Sequence, residues 1–141
     1  MAAEYARHRA SREGLSHLIV DSAGTLGIEG ERASGEAVQV LQEAGLDLTG
    51  HRSRGIRDSD LRLADLVVVM TLDHLHEIDE RFSSPDARAV LLRAYEHGAL
   101  PRNGAADLPD PIGRPVEEYR RCFEVIRACV DHLVLALKHG P

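Results

Sequence analysis

The segment Asp65-Leu-Val-Val-Val-Met70 is the most strand-like stretch of the chain, and Thr71 follows it directly. Three valines between a leucine and a methionine make an almost unbroken apolar run, which is typical of a β-strand covered on both faces. Thr71 predicts the N-cap of a helix that runs to about residue 82. A buried strand that leads straight into a helix indicates an α/β fold with a parallel sheet. The inward-facing side chains of this helix are predicted to be Leu72, Leu75, Ile78 and Phe82.

The alternation of strands and helices continues in both directions from this segment. Upstream, residues 1–13 predict a helix and His17–Asp21 (HLIVD) predicts a short buried strand. Downstream, Arg88–Leu92 predicts a further strand. The last helix has apolar residues every three or four positions, which indicates one buried face. Further helices are predicted over residues 35–44 behind the N-cap Ser34, behind the cap Asp58 to about Leu63, and from Pro115 through the apolar stripe that ends at Leu137.

The composition is that of one globular domain. The chain has 141 residues, of which 43% are hydrophobic and 28% charged, with a net charge of −6. The negative charge gives no general attraction to nucleic acid, and no apolar run reaches the roughly 18 residues of a membrane span. Two cysteines, Cys122 and Cys129, exclude a disulfide scaffold, predict a reducing, cytoplasmic compartment and are interpreted as small buried hydrophobes. Residues 1–141 are therefore expected to form a single domain.

A loop over residues 99–114, rich in proline, glycine and aspartate, separates the last predicted strand from the last helix. Its centre reads Asp107-Leu-Pro-Asp110-Pro-Ile-Gly113. Ligands of α/β proteins bind at the carboxyl ends of parallel strands. We therefore expect this loop, the turn Ser22–Thr25 and Thr71 to border the functional site.

Two other polar clusters carry weaker signals. His74 and His76 are two positions apart on a helix, so their rings do not share a face, and no metal site or cofactor is expected there. The stretch 52–62 is basic, but Asp58 and Asp60 interrupt it and no aromatic residue lies within it. That pattern favours a solvated surface over a nucleic-acid site. The basic residues of this stretch are Arg52, Arg54, Arg57 and Arg62.

Five motifs occur in order along the chain: VDSAGT (20–25), GERA (30–33), GLDLTGHRSR (45–54), LADLVVVMT (63–71) and LPDPIGRPVEEYR (108–120). Together they resemble the low-molecular-weight protein tyrosine phosphatase family, and the runs MT-x-DH and DPIG-x-P-x-E-x-Y-R are most similar to its bacterial arginine-phosphatase-like branch. The resemblance implies a three-layer sandwich whose parallel sheet has the strand order 2-1-3-4. It also implies hydrolysis of phosphate monoesters or phosphoarginine on a phosphoprotein substrate through a cysteinyl-phosphate, with no cofactor.

The family normally opens with a strand and a Cys-x5-Arg-Ser phosphate loop, followed by a helix. Met1-Ala-Ala-Glu4 resembles the start of that helix. Neither cysteine supplies the loop, because the sixth residue after Cys122 is Ala128 and the sixth after Cys129 is Leu135. By resemblance the chain is therefore an N-terminally truncated domain that lacks strand 1, the nucleophile and the phosphate cradle, and we expect it to be inactive as it stands.

The resemblance assigns roles to several residues that are present. Asp110 is the general-acid position, with Asp107 as the back-up candidate and Pro111 stiffening the loop. Ser22 matches the serine that hydrogen-bonds the phosphate loop, and Ile112 stands where tyrosine-specific members carry an aromatic wall. The same residues also fit an Asp-Pro turn, an ordinary strand-end turn and a hydrophobic loop anchor.

Three functional hypotheses remain open. The chain belongs to a phosphatase whose true start lies upstream of Met1, it is a non-catalytic pseudophosphatase that binds a partner, or it is arsenate-reductase-like. The third needs a reactive thiol, and both cysteines lie on the last helix, which is the wrong element.

The absent strand carries an expectation of its own. Without strand 1, the segments 17–21 and 65–70 would flank a vacancy, so they would pair directly, accept a strand from another chain, or leave the protein unstable. Self-association through exposed strand edges is expected.

Overall fold

The computed structural model describes residues 1–82 and 88–140. Within them, helices alternate with two parallel strands, as the sequence predicts, and a short 3-10 helix over Leu92–Tyr95 follows the second strand. The elements are α1 (Ala2–Arg12), α2 (Gly35–Glu43), α3 (Asp58–Leu63), β1 (Leu66–Val69), α4 (Leu72–Arg81), β2 (Arg88–Leu91) and α5 (Val116–His139).

The helix starts follow from local capping chemistry. The hydroxyl of Ser34 accepts a hydrogen bond from the backbone N–H of Ala37 at 3.3 Å, and that of Thr71 accepts one from His74 at 3.2 Å. Both N-cap predictions are thus confirmed, and each bond pairs an amide that the helix itself leaves unpaired. The other two starts were predicted one residue out of register: Asp58 is the first helical residue behind the N-cap Arg57, and Pro115 is an N-cap rather than a helical residue.

The sheet consists of β1 and β2 within the described residues, paired in parallel with Leu66 opposite Arg88 and Val69 opposite Leu91. They correspond to the last two strands, 3 and 4, of the predicted order 2-1-3-4. The α/β class with a parallel sheet packed against helices is confirmed. Among residues 1–82 and 88–140, no strand pairs with the other edge of β1.

The predicted strand at His17–Asp21 is wrong as a sheet element. Residues 17–21 form no ladder, and the Ile19 side chain is 93% exposed. The guanidinium of Arg7 donates to the carbonyl of Val20 at 2.8 Å, so α1 holds the segment from one side. An extended segment with no neighbouring strand has no partner for its alternating amides and carbonyls, which explains why the apolar run stays outside the sheet. Direct pairing with β1, one of the three expected outcomes, does not occur in this structure.

The core forms around α5, which packs against α1, α2 and the 3-10 helix. The ring of Tyr5 meets that of Phe123 edge to face at 5.6 Å, so aromatic packing joins α1 to α5. Leu137 and Leu72, both predicted to face inward, are instead 41% and 47% exposed. No helix in the described part of the chain is long and apolar enough to cross a membrane. Val116, the first residue of the predicted stripe of α5, is partly buried. The buried residues of the stripe are Tyr119, Phe123, Ile126, Val130 and Leu133.

Candidate active site

The loop that carries Asp110 is anchored at the carboxyl end of β1. The backbone N–H of Leu108 donates to the carbonyl of Met70 at 2.8 Å, and the Leu108 side chain is buried in the core. The carboxylate of Asp107 accepts from the backbone N–H of Leu72 at 2.8 Å, which adds a second acceptor to the first turn of α4. The loop therefore lies at the carboxyl end of the sheet, where the sequence predicts the site. Asp107 has a structural role there.

Asp110 lies beside the N-terminal end of α1. One of its carboxylate oxygens accepts from the backbone N–H of Ile112 at 3.0 Å, and the side chain is exposed to solvent. Burial lowers the pKa of the Met1 amino group, and the negative charge of Asp110 partly opposes this shift. Asp110 therefore faces a helix end whose free N–H groups favour an anion such as phosphate.

Cys122 of α5 also lies near Asp110 and the N-terminal end of α1. Burial, and after it the charge of Asp110, raises the pKa of the Cys122 thiol above its ordinary value, while the Met1 amino group opposes this shift. Cys129 is fully buried, and burial raises the pKa of its thiol to about 11. Both thiols are thus protonated at neutral pH, whereas a cysteine nucleophile needs a lowered pKa. The interpretation of Cys129 as a small buried hydrophobe is confirmed.

Ser22 lies on the exposed segment that leads to the turn at Gly24. Its backbone N–H donates to the Asp21 carboxylate at 2.8 Å, which is the largest cause of the lowered pKa of Asp21. The Gly24 amide donates to the carbonyl of Arg54 at 2.8 Å. These contacts fix the backbone around Ser22 to the loop at residues 54–56.

Arg54 is the positioning residue that the sequence interpretation missed. Its two terminal nitrogens each lie 2.8 Å from a carboxylate, one of Asp21 and one of Asp60, so it connects the segment at residue 21 to α3. Arg54 is about one-quarter exposed and paired with two carboxylates, so it is the member of the basic stretch with a clear structural role. The bond from Arg54 is the main cause of the lowered pKa of Asp60. The sequence feature that could have identified Arg54 is its position at the end of the motif HRSR (51–54).

The structure groups some of the predicted site residues and leaves others apart. Asp110, Ile112 and the N-terminal end of α1 form one cluster, and Ile112 is 72% exposed, so no aromatic wall covers this position. No hydrogen bond or ion pair among the described residues joins Ser22 to Asp110. The segment of Ser22 is instead connected to α1 two residues earlier, where the carbonyl of Val20 accepts from the guanidinium of Arg7.

A cleft of about 240 Å³ opens beside α1, between that helix and the loop at residues 47–51. It is lined in part by Glu4, Arg7, Asp47 and His51. Burial, and after it the positive Met1 amino group and Arg7, lowers the pKa of His51. The imidazole is therefore held neutral next to the positive end of α1.

The candidate site contains no metal-binding arrangement in the part of the chain that the structure describes. No group of three or more histidine, cysteine, aspartate or glutamate side chains in residues 1–82 and 88–140 is placed to hold a metal ion. His74 and His76 lie on α4, whose first turn points its amides at Asp107 and Thr71. The chemistry available here is that of a carboxyl group facing a helix N-terminus.

Comparison with known proteins identifies the family of this chain. The family model for low molecular weight phosphotyrosine protein phosphatases matches residues 1–140. The protein-arginine-phosphatase of Geobacillus stearothermophilus is 32% identical over 124 residues, which cover 88% of this chain and 80% of that protein.

Solved structures of phosphatases are similar to this chain over nearly its whole length. The structure of a YwlE arginine phosphatase mutant, with a phosphorylated active-site serine in place of cysteine, superimposes with a TM-score of 0.87 at 26% identity, covering 97% of this chain and 86% of that one. A low molecular weight protein tyrosine phosphatase from T. tengcongensis gives 0.84 at 28% identity, covering 95% of this chain and 87% of that one. Because the family model matches nearly every residue, 1–140, this chain belongs to the low molecular weight phosphotyrosine protein phosphatase family.

Proposed function

We propose that this chain supplies the general acid and the substrate-facing frame of a phosphatase that acts on phosphoarginine in proteins, and that its 141 residues do not hydrolyse phosphate unaided. The observation that carries the proposal is the position of Asp110, which faces the N-terminal end of α1 from the loop at the carboxyl end of β1. A helix N-terminus binds the phosphate, and a carboxylic acid opposite it can protonate the leaving group.

The chemistry needs a second component. A thiolate attacks phosphorus, the phosphorus–nitrogen or phosphorus–oxygen bond breaks, and the leaving group takes the Asp110 proton. Water then hydrolyses the cysteinyl-phosphate, with the Asp110 carboxylate accepting a proton from it. The 141 residues contain no Cys-x5-Arg motif, and the raised pKa values of Cys122 and Cys129 argue against either thiol as the nucleophile. A Cys-x5-Arg loop at the N-terminal end of α1 would supply both the thiolate and the guanidinium that grips the phosphate.

Two observations favour phosphoarginine as the substrate. Ile112 is exposed beside Asp110, and an aliphatic side chain offers no ring to stack on a tyrosyl leaving group. The Geobacillus relative and the YwlE structure are both named arginine phosphatases. The YwlE mutant also carries a phosphoryl group on its active-site serine, which supports a covalent intermediate in the family.

A second candidate function is that of a non-catalytic binding protein. The lack of a Cys-x5-Arg motif in the 141 residues favours it, because the fold can present the Asp110 loop without turning over a substrate. An arsenate-reductase-like function has less support, since the high pKa of both thiols opposes thiol chemistry at neutral pH.

The first prediction concerns the purified chain alone. We expect no vanadate-sensitive turnover of p-nitrophenyl phosphate or of a phosphoarginine protein, because loss of a nucleophile that acts together with its partners removes several orders of magnitude of rate. Steady-state assays at neutral pH measure this. Turnover of about 1 per second or more, the ordinary enzyme range, would show that a nucleophile exists within these residues.

A further inference from the structure

A second cleft, of about 400 Å³, lies between α1, the end of α2 and α5. It shares no lining residue with the candidate active site. Three guanidinium groups and one carboxylate line it, although the chain as a whole has a net charge of −6. We call it the basic cleft, and it is lined by Tyr5, His8, Arg9 and Arg12 from α1, Glu43 and Ala44 from the end of α2, and Arg127 from α5.

The single carboxylate of the lining is already paired. Both oxygens of Glu43 accept from the guanidinium of Arg120, at 2.7 and 3.0 Å. This side-by-side pairing satisfies the carboxylate and offsets its charge. Glu43 therefore does not compete for the arginines of the basic cleft.

The acidic groups around Arg9 are also engaged. Arg9 pairs with Glu13 at 3.1 Å and with Asp131 at 2.7 Å, and Asp131 in addition accepts the hydroxyl of Tyr5 at 2.9 Å. Lys138 takes the second oxygen of Glu13 at 2.9 Å. The 2.7 Å distance joins the buried Nε of Arg9 to Oδ1 of Asp131. The two atoms are close, but this Nε makes no hydrogen bond with Asp131 or with any other described residue. Both oxygens of Glu13 are thus paired, and the contacts of Asp131 fall on its Oδ1, while one buried donor of Arg9 has no acceptor.

The other two guanidinium groups are open to a ligand. Arg12 is exposed, and no carboxylate among residues 1–82 and 88–140 lies within ion-pair distance of it. Arg127 is exposed as well, with a long 3.4 Å contact to Glu124 and its guanidinium 5.9 Å from the ring centre of Phe123. The Tyr5 hydroxyl beside it is the main cause of its raised pKa, and the charges of Glu124 and Asp131 add to that shift. Exposed pairs of this kind contribute little, so breaking the Glu124 contact to bind an anion costs little.

We propose that the basic cleft binds the phosphate group of an organic molecule, held by Arg12 and Arg127. A guanidinium matches phosphate with two parallel N–H donors, which makes arginine the preferred residue for this anion. The volume of about 400 Å³ exceeds that of a lone phosphate and falls in the range of small-molecule sites, so an organic carrier also fits. The carrier is either a free nucleotide or a phosphorylated peptide side chain.

Calorimetric titration of the 141-residue chain with pyrophosphate at constant ionic strength tests the proposal. We expect the Arg12→Gln, Arg127→Gln double variant to bind about tenfold more weakly than the unmodified chain, a loss of about 1.4 kcal/mol. The matched control is Arg62→Gln, Arg121→Gln, which removes the same charge outside the basic cleft, and its affinity should stay within about twofold. Equal weakening in both double variants, or no binding by the unmodified chain, would overturn the proposal.

Two further measurements keep the test decisive. Melting curves check that the double variant folds, and if it does not, Arg12→Gln alone takes its place, since Arg12 has no carboxylate partner among the described residues. Titrations with adenosine monophosphate and with a phosphoserine peptide identify the carrier. Binding of one of them that depends on the two arginines supports the proposal, and failure of both to bind contradicts it.

Discussion

The imidazole of His51 gives the candidate site a pH response of its own. Burial and the positive Met1 amino group lower its pKa below the unfolded value of 6.5. As the pH falls, the unfolded chain therefore takes up a proton before the folded one does. The contribution of His51 to stability is complete above about pH 6.5 and is lost as the pH falls through the folded pKa.

The second prediction follows from this linkage. Replacing His51 by glutamine should flatten the decrease in unfolding free energy between about pH 7 and pH 5, because the group that titrates differently in the two states is gone. Urea unfolding at a series of pH values measures the slope. His17→Gln, at an exposed position, is the control and should keep the slope of the unmodified chain. If His51→Gln and His17→Gln have the same slope, the burial of His51 has no such effect.

Residue-scale features were predictable where a local rule fixes them. The caps Ser34 and Thr71 follow from side-chain oxygens that meet free helix amides, and the sequence alone locates both. The bridging role of Arg54 was not predictable from composition, because its two carboxylate partners lie 33 and 6 positions away in the chain. Cys122 and Asp110 are likewise brought together only by the fold, so no pattern of sequence spacing predicts that they are close.

At the scale of the elements, the segment 17–21 shows how tertiary context overrides an apolar pattern. The run HLIVD has the composition of a buried strand, yet Ile19 is 93% exposed and the segment lies outside the sheet. Strand propensity reflects packing against neighbours rather than a backbone preference, so a strand without a neighbour does not form. The strands β1 and β2 were predictable because each finds a partner in the other.

The third prediction concerns this segment. The amides of Ile19, Val20 and Asp21 should exchange with solvent almost as fast as those of an unfolded chain, since no described acceptor binds them. Hydrogen exchange read by mass spectrometry measures this, with residues 126–134 of α5 as the protected reference. This expectation applies to dilute, monomeric samples, in which strong protection of residues 19–21 would mean that they pair with a strand within the chain.

At the scale of the whole molecule, β1 has one open edge in the described part of the chain. Parallel sheets are normally covered on both faces, and a buried backbone group left unpaired costs roughly 1–3 kcal/mol. A few such groups are a large part of the roughly 5–15 kcal/mol that keeps a domain folded. The parallel α/β architecture was therefore predictable from the alternation of elements, but the width of the sheet was not, because it depends on which strands find partners.

The fourth prediction is that the 141-residue chain self-associates. We expect light scattering after size exclusion to show dimers or larger species, because an open strand edge accepts a strand from another copy. Ile19→Lys should reduce the association, whereas the control Leu63→Lys, at a position 83% exposed on α3, should not. A clean monomer with a cooperative melt above about 65 °C would show that the open edge of β1 costs little.

The fifth prediction tests the role of Asp110 in catalysis, which is the central claim. An N-terminal extension with a β-strand and a Cys-x5-Arg-Ser loop joined to Met1 should give a phosphatase. The measurement is the turnover of this extended protein and of its Asp110→Asn variant on phenyl phosphate and on p-nitrophenyl phosphate, with Asp107→Asn as the control for loop structure. We predict that Asp110→Asn slows phenyl phosphate hydrolysis by about 100-fold or more and p-nitrophenyl phosphate hydrolysis much less, because the better leaving group needs little protonation. An equal loss on both substrates, or no activity in the extended protein, would contradict the assignment of Asp110 as the general acid.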